Sequence, residues 1–261
     1  MSLPLAKEGS VARLNRWGIR PKQAAILLLV VFWEIFGRSR VSTLVPPFTE
    51  VLGTTVDLLR QSDFYASVQF TAISLAGGLA VSLLAGTALG MAMVQFPWLK
   101  RALLPYLNAL QAAPLAALVP VFMLLFGVGY GTVVAVVIAY TFFAMVFNTL
   151  TGFEEADRTL LEMARSYGAG PIQLWRKIMF PAALPMLLAG CRMAVGLAIK
   201  GVVIGEMLIS VVGLGGLVML YGSSFAMKHL FALIVLLIIL AVAAGGCVTL
   251  LERRLLRWRS P

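Results

Sequence analysis

Three charged residues stand inside otherwise apolar sequence: Arg192, Lys200 and Glu206. On a helix at about 100° per residue they fall within one arc of about 120°. A charge in the middle of a membrane costs at least about 2.5 kcal/mol, so this arc is expected to face protein or water rather than lipid. Lys200 and Arg192 could supply positive potential for an anionic solute. They could equally be braces paired with Glu206, Glu34 or backbone carbonyls. Pro114 and Pro120 belong with them as candidate path residues. Each proline frees a backbone carbonyl, which in a membrane must find a partner in the protein or line a wet cavity.

Little else has catalytic character. His229 is the single histidine, and Cys191 and Cys247 lie in apolar runs without metal-ligand spacing. There is no H-E-x-x-H, no G-x-S-x-G and no phosphate-binding G-x-x-x-x-G-K-[ST]. Gly213, Gly215 and Gly216 follow a helical pattern rather than a strand and read as a turn. No cofactor or metal is expected on this chain. An enzyme or an assembly scaffold is therefore a weak reading, and a solute path a strong one.

The elements that carry these residues are membrane helices. Of 261 residues, 61% are hydrophobic and 12% charged, and mean hydropathy is +0.95. A soluble domain carries about 25% charged residues. The net charge of +10 does not point to nucleic acid, because the basic residues sit between long uncharged runs. The expected class is all-α and polytopic, with about six spans in a single domain over 23–251. A basic segment, 1–22, precedes it and reads either as an interfacial helix on membrane lipid or as a plain basic flank. A basic tail, 252–261, follows.

The expected spans are 23–37 (short, at 15 residues), 71–94, 103–126, 133–152, 182–203 and 230–251. The first run has no cleavage pattern after it and is expected to remain a span. The third is expected to be a helix kinked by its prolines. Ser82, Gly86 and Gly90 form a small-residue stripe for helix packing. Between the first two spans, 48–59 reads as a short amphipathic helix. With the N-terminus inside, 15 Lys and Arg fall on inner segments and 4 on outer ones. That bias predicts both termini, and the polar island 154–181, on the cytoplasmic side. In the island, 159–167 reads as a helix, 168–171 as a break, and 172–179 as a second short helix stopped by Pro181.

The island also carries a resemblance. Glu162-Met163-Ala164-Arg165-Ser166-Tyr167-Gly168, then nine residues, then Ile178-Met179-Phe180-Pro181, resembles the loop motif of ATP-binding-cassette importer permeases. Met163 and Phe180 depart from that motif, both as apolar replacements. Pro114, Pro120 and Phe126-Gly127-Val128-Gly129 are similar to the nitrate/sulfonate/taurine-type group. So are Gly190-Cys191-Arg192, Gly205-Glu206-Met207, Gly213-Leu214-Gly215 and the closing Glu252-Arg253-Arg254 through Trp258. The likeness covers about 25–258.

The resemblance implies a type I importer permease in the bacterial cytoplasmic membrane, paired with a second copy and seated on two ATPase subunits that hold ATP and Mg. A solute-binding protein outside delivers a small, anionic, sulfonate-, nitrate- or taurine-like solute. The segment from Glu155 to Gly168 would be the coupling helix. Arg158, Glu162, Met163, Ala164, Arg165, Gly168 and Pro171 would meet the ATPase, and Ile178 and Pro181 close the motif. The bland alternative for Glu162 and Arg165 is an internal ion pair on a solvated helix. The rival to the ATPase-driven reading is a gradient-driven transporter that works alone.

Overall fold

A computed structural model describes residues 21–39, 44–209 and 213–256. Most of the basic N-terminal segment and the end of the tail lie outside them. Among the described residues there are helices and no strand. The helices are α1 (Pro21–Arg38), α2 (Phe48–Leu58), α3 (Ser62–Gln95), α4 (Pro97–Ala112), α5 (Val119–Phe126), α6 (Tyr130–Glu154) and α7 (Arg158–Ser166). They continue with α8 (Pro171–Ile209), α9 (Gly213–Ser223) and α10 (Met227–Leu255).

Four of these, α3, α6, α8 and α10, are long and apolar enough to cross a membrane, and a fifth crossing results if α4 and α5 count as one. This is fewer than the six uniform spans expected. The first expected span is a helix of 18 residues, about 27 Å long at 1.5 Å per residue, and carries Lys22, Glu34 and Arg38.

The small-residue stripe organises the centre. A side chain on Gly78 would meet Val137, on Gly86 Met145, and on Gly90 Thr149. At the one polar step, the Thr141 hydroxyl donates to Ser82 Oγ at 2.6 Å. Four-residue steps on α3 match four-residue steps on α6 in the same direction, so the two helices run parallel. The chain between them, α4 and α5, must therefore return to its starting end. The second stripe is antiparallel: Gly205 meets Val136, Gly201 Tyr140, Gly190 Asn148 and Gly152 Met186. Absent side chains let backbones approach, and dispersion contacts replace the hydrophobic drive that lipid does not supply.

Three expectations are corrected. The third span is not one kinked helix: α4 and α5 meet at 93°, joined by a 3-10 turn at Leu115–Leu118. Pro114 sits at the break and Pro120 in the first turn of α5, where its missing N–H costs nothing. Pro181 does not end a helix either. A π turn at Trp175–Met179, closed by the Phe180 N–H on the Trp175 carbonyl, widens the helix just before it. The ring is accommodated and α8 runs on to Ile209, through Pro185 as well. Finally, Gly213, Gly215 and Gly216 open a helix, α9, that the sequence reading had as a turn.

Polar contacts tie the shorter elements to this centre. Glu34 on α1 accepts from Arg38 Nε at 2.5 Å, and from the Thr49 N–H and hydroxyl at 3.0 Å each. It braces α1 to the first turn of α2. Trp33 donates to the Pro46 carbonyl at 3.1 Å and packs on Phe48 and Phe231.

Candidate coupling surface and translocation path

The helix of the polar island is built by its caps. Asp157 accepts the Thr159 N–H at 2.8 Å and opens α7. At the other end the Gly168 N–H donates to the Arg165 carbonyl and the Ala169 N–H to the Ala164 carbonyl, at 2.9 and 3.0 Å. This is a Schellman closure, and it places Gly168 at φ +80°, where a Cβ is strained. The Gly170 N–H is met by Gln173 Oε1 at 3.1 Å, and Pro171 opens α8. A nine-residue helix is thus fixed at both ends and presented between α6 and α8.

An apolar stripe runs along its exposed surface. Leu160, Met163 and Tyr167 lie on one side at helical spacing, Met163 51% and Tyr167 87% exposed, and Ile172 stands beyond them. Glu155, Glu162, Arg165, Gly168 and Pro171 are exposed, and Ala164 is half-buried. Among the described residues no ion pair joins Glu162 to Arg165. Arg158 is the first residue of α7. Ile178 and Pro181 are half-buried where the island joins the α8 span. A cavity of about 440 Å³ runs beneath α7, lined by Leu161, Arg165, Ala169, Trp175 and the end of α3.

The charges in the fifth expected span do not share one surface. Arg192 donates to Glu252 on α10 at 2.8 Å, a partner the sequence reading did not name. Lys200 is exposed, and among the described residues no carboxylate pairs with it. Glu206 is fully buried. Its Oε2 accepts the Thr71 hydroxyl at 3.0 Å and the Gly215 N–H at 2.8 Å. Glu206 thus faces protein and holds the start of α9. The signal in the sequence was the acid seven residues before a Gly-x-Gly-Gly run, but the partner, Thr71, lies 135 residues away.

Residues 78–257 match the family described as binding-protein-dependent transport system inner membrane component. The chain belongs to that family. It is 34% identical over 234 residues to the formylaminopyrimidine transport permease protein ThiX of Halalkalibacterium halodurans, covering 89% of this chain and 93% of that one. It is 31% identical to the riboflavin transport system permease protein RibX of Chloroflexus aurantiacus, over 94% and 92% of the two chains. The putative aliphatic sulfonates transport permease protein SsuC of Bacillus subtilis is 28% identical over 97% and 96%. The fold is shared with solved ABC transporters. The MetNI methionine ABC transporter in inward facing conformations superposes with a TM-score of 0.57 at 19% identity, over 79% of this chain and 94% of that one. This permease is thus a multi-pass membrane protein of the ABC importer class.

Proposed function

We propose that the chain forms the solute path of an ATP-driven, binding-protein-dependent importer in the bacterial inner membrane. It works as a homodimer on two ATPase subunits, which carry the ATP and Mg, and an extracytoplasmic binding protein feeds it. The observation that carries this reading is α7: a short, doubly capped helix with an unpartnered apolar face, at the motif that resembles the importer coupling loop. Glu155, Arg158, Glu162, Met163, Ala164, Arg165, Gly168 and Pro171 would form the contact, with Ile178 and Pro181 transmitting it to α8. ATP would close the ATPases and draw the two α7 helices together, switching the path by rigid-body alternating access.

The side assignment supports the reading. The pair Lys100–Glu154 joins two segments that the charge count places inside, and Arg192 reaches from the fifth expected span to Glu252 at the inner tail. Lys228–Glu50 joins two segments it places outside. The parallel run of α3 and α6 supports counting the broken pair α4–α5 as a crossing, and with α1 as a further crossing both termini would be cytoplasmic.

For the solute, Lys200 favours a small anion, sulfonate-, nitrate- or taurine-like. It is an exposed cation of α8 without a carboxylate partner among the described residues. A second reading, a planar nitrogen heterocycle, is favoured by the names of the relatives at 34% and 31% identity. A mild-detergent pull-down of the tagged chain tests the assembly. Two ATPases per two permeases are expected, and Glu162→Lys should release them. A chain that purifies alone, under conditions that keep related complexes intact, would turn the reading to gradient-driven transport. Uptake competition by taurine, an alkyl sulfonate, nitrate, a pyrimidine and riboflavin then separates the two solute classes.

A further inference from the structure

The junction of α3, α8 and α9 is held by one carboxylate oxygen. Glu206 is 0% and Thr71 2% exposed. The Thr71 hydroxyl has a single proton, which goes to Glu206 Oε2, so its lone pair is left to accept the Leu214 N–H at 2.9 Å. The Gly215 N–H reaches the same Oε2. Two of the free N–H groups of the first turn of α9 are therefore met by an oxygen from α3 and one from α8. The fit is close. Gly213 sits at φ +88°, and a side chain on it would strike the Glu206 carboxyl. One on Gly215 would strike the Val203 carbonyl and the Glu206 stem.

The position gives this clamp its consequence. Thr71 lies nine residues into α3, about 13 Å from its start at about 1.5 Å per residue, so the junction is well below the surface. α8 ends at Ile209, one turn past Glu206, and α9 carries the chain back out. With 11 residues, α9 is too short to cross alone. Its first four residues are buried, whereas Met219, Leu220 and Phe225 near its end are exposed. Ser223 and Ser224 spend their hydroxyls on carbonyls of their own turn, so neither ties the far end to another helix.

We propose that Glu206 and Thr71 are positioning residues of the transport path. They lock α9 to the outer halves of α3 and α8, so that the three move as one block when access alternates. Solute need never touch either residue. The inference rests on the permease reading above.

The test uses the assembled transporter in lipid nanodiscs and proteoliposomes, with Thr71→Val, Thr71→Ser and Glu206→Gln. Amide exchange over 213–223 reads the clamp itself. Transport per ATP hydrolysed, with KM and maximal rate of uptake, reads its role, the probe being whichever of taurine, an alkyl sulfonate, nitrate, a pyrimidine and riboflavin the unaltered complex takes up. Thr71→Val keeps the shape and removes the hydroxyl. It takes away both hydrogen bonds of that hydroxyl and should speed exchange of α9 by at least about tenfold. It should also lower solute moved per ATP by a similar factor at unchanged KM. Thr71→Ser should restore both, and Glu206→Gln, which keeps an acceptor oxygen, should fall between. Unchanged exchange in Thr71→Val overturns the proposal. So does an equal loss of uptake and ATPase that follows the amount of assembled complex, because that marks a fold brace alone. If the unaltered complex hydrolyses ATP and moves no solute, the permease reading is at fault, and the exchange comparison still decides whether the clamp exists.

Discussion

Single side chains in this permease divide by what they can reach. Lys200 reaches no carboxylate among the described residues, and the proposed function gives its charge to a solute. Lys200→Met should lower uptake of anionic solutes about tenfold and leave assembly intact, an effect of about 1.4 kcal/mol. Equal uptake and equal solute preference at equal expression would sink the anion reading. Arg192 is the opposite case. Its guanidinium is half-exposed and already engaged with Glu252. Such a pair is worth at most about 1 kcal/mol. Arg192→Glu should lower thermal stability of the detergent-purified protein slightly, and adding Glu252→Arg should restore it. Failure of the exchanged pair to recover would show that Arg192 acts on something other than Glu252.

At the scale of elements, α7 and the α3–α6 contact carry the sharpest expectations. Asp157→Ala removes the only side chain that caps the start of α7 among the described residues, at a cost of about 1 kcal/mol. ATPase co-purification should weaken while the spans stay folded, as read by thermal unfolding of the membrane core. If the ATPase is retained in full, α7 is not the docking element. Gly86→Leu should do the reverse. A side chain there meets Met145 and the Phe142 carbonyl, so the parallel pair α3–α6 must separate. Yield of folded protein should collapse, whereas Gly196→Leu on α8, with open space around it, should be tolerated. The presence and order of the apolar helices were legible because unbroken apolar runs are local signals. Two features were not. The 93° break at Pro114 looked like a kink, since sequence does not say how far a proline bends a helix. Pro181 looked like a stop, since the π turn that accommodates it has no sequence signature of its own.

For the molecule as a whole, helix direction and charge asymmetry make one joint prediction. Single cysteines at Arg60 and at Arg165, in a background with Cys191 and Cys247 replaced by serine, should label from opposite sides of intact cells. Arg60 should react with a membrane-impermeant maleimide from outside and Arg165 only after lysis. Labelling of both from one side would break the parallel assignment of α3 and α6 or the charge count. The same topology brings Lys100 to Glu154 and Lys228 to Glu50, pairs far apart in sequence that close the two ends of the bundle.

By itself the sequence determined the membrane class, the run of apolar helices, the uneven spread of the charges along the chain and the island with its importer motif. Each follows from composition or short-range spacing, which act before any helix meets another. Only the tertiary structure decided which charges are available. Arg192, Lys200 and Glu206 look alike on a helical wheel, yet one is paired across to α10, one is open and one is buried. Their fates depend on groups 60 and 135 residues away, Glu252 and Thr71. Desolvation and hydrogen bonding are set by those distant neighbours, and no local pattern encodes them.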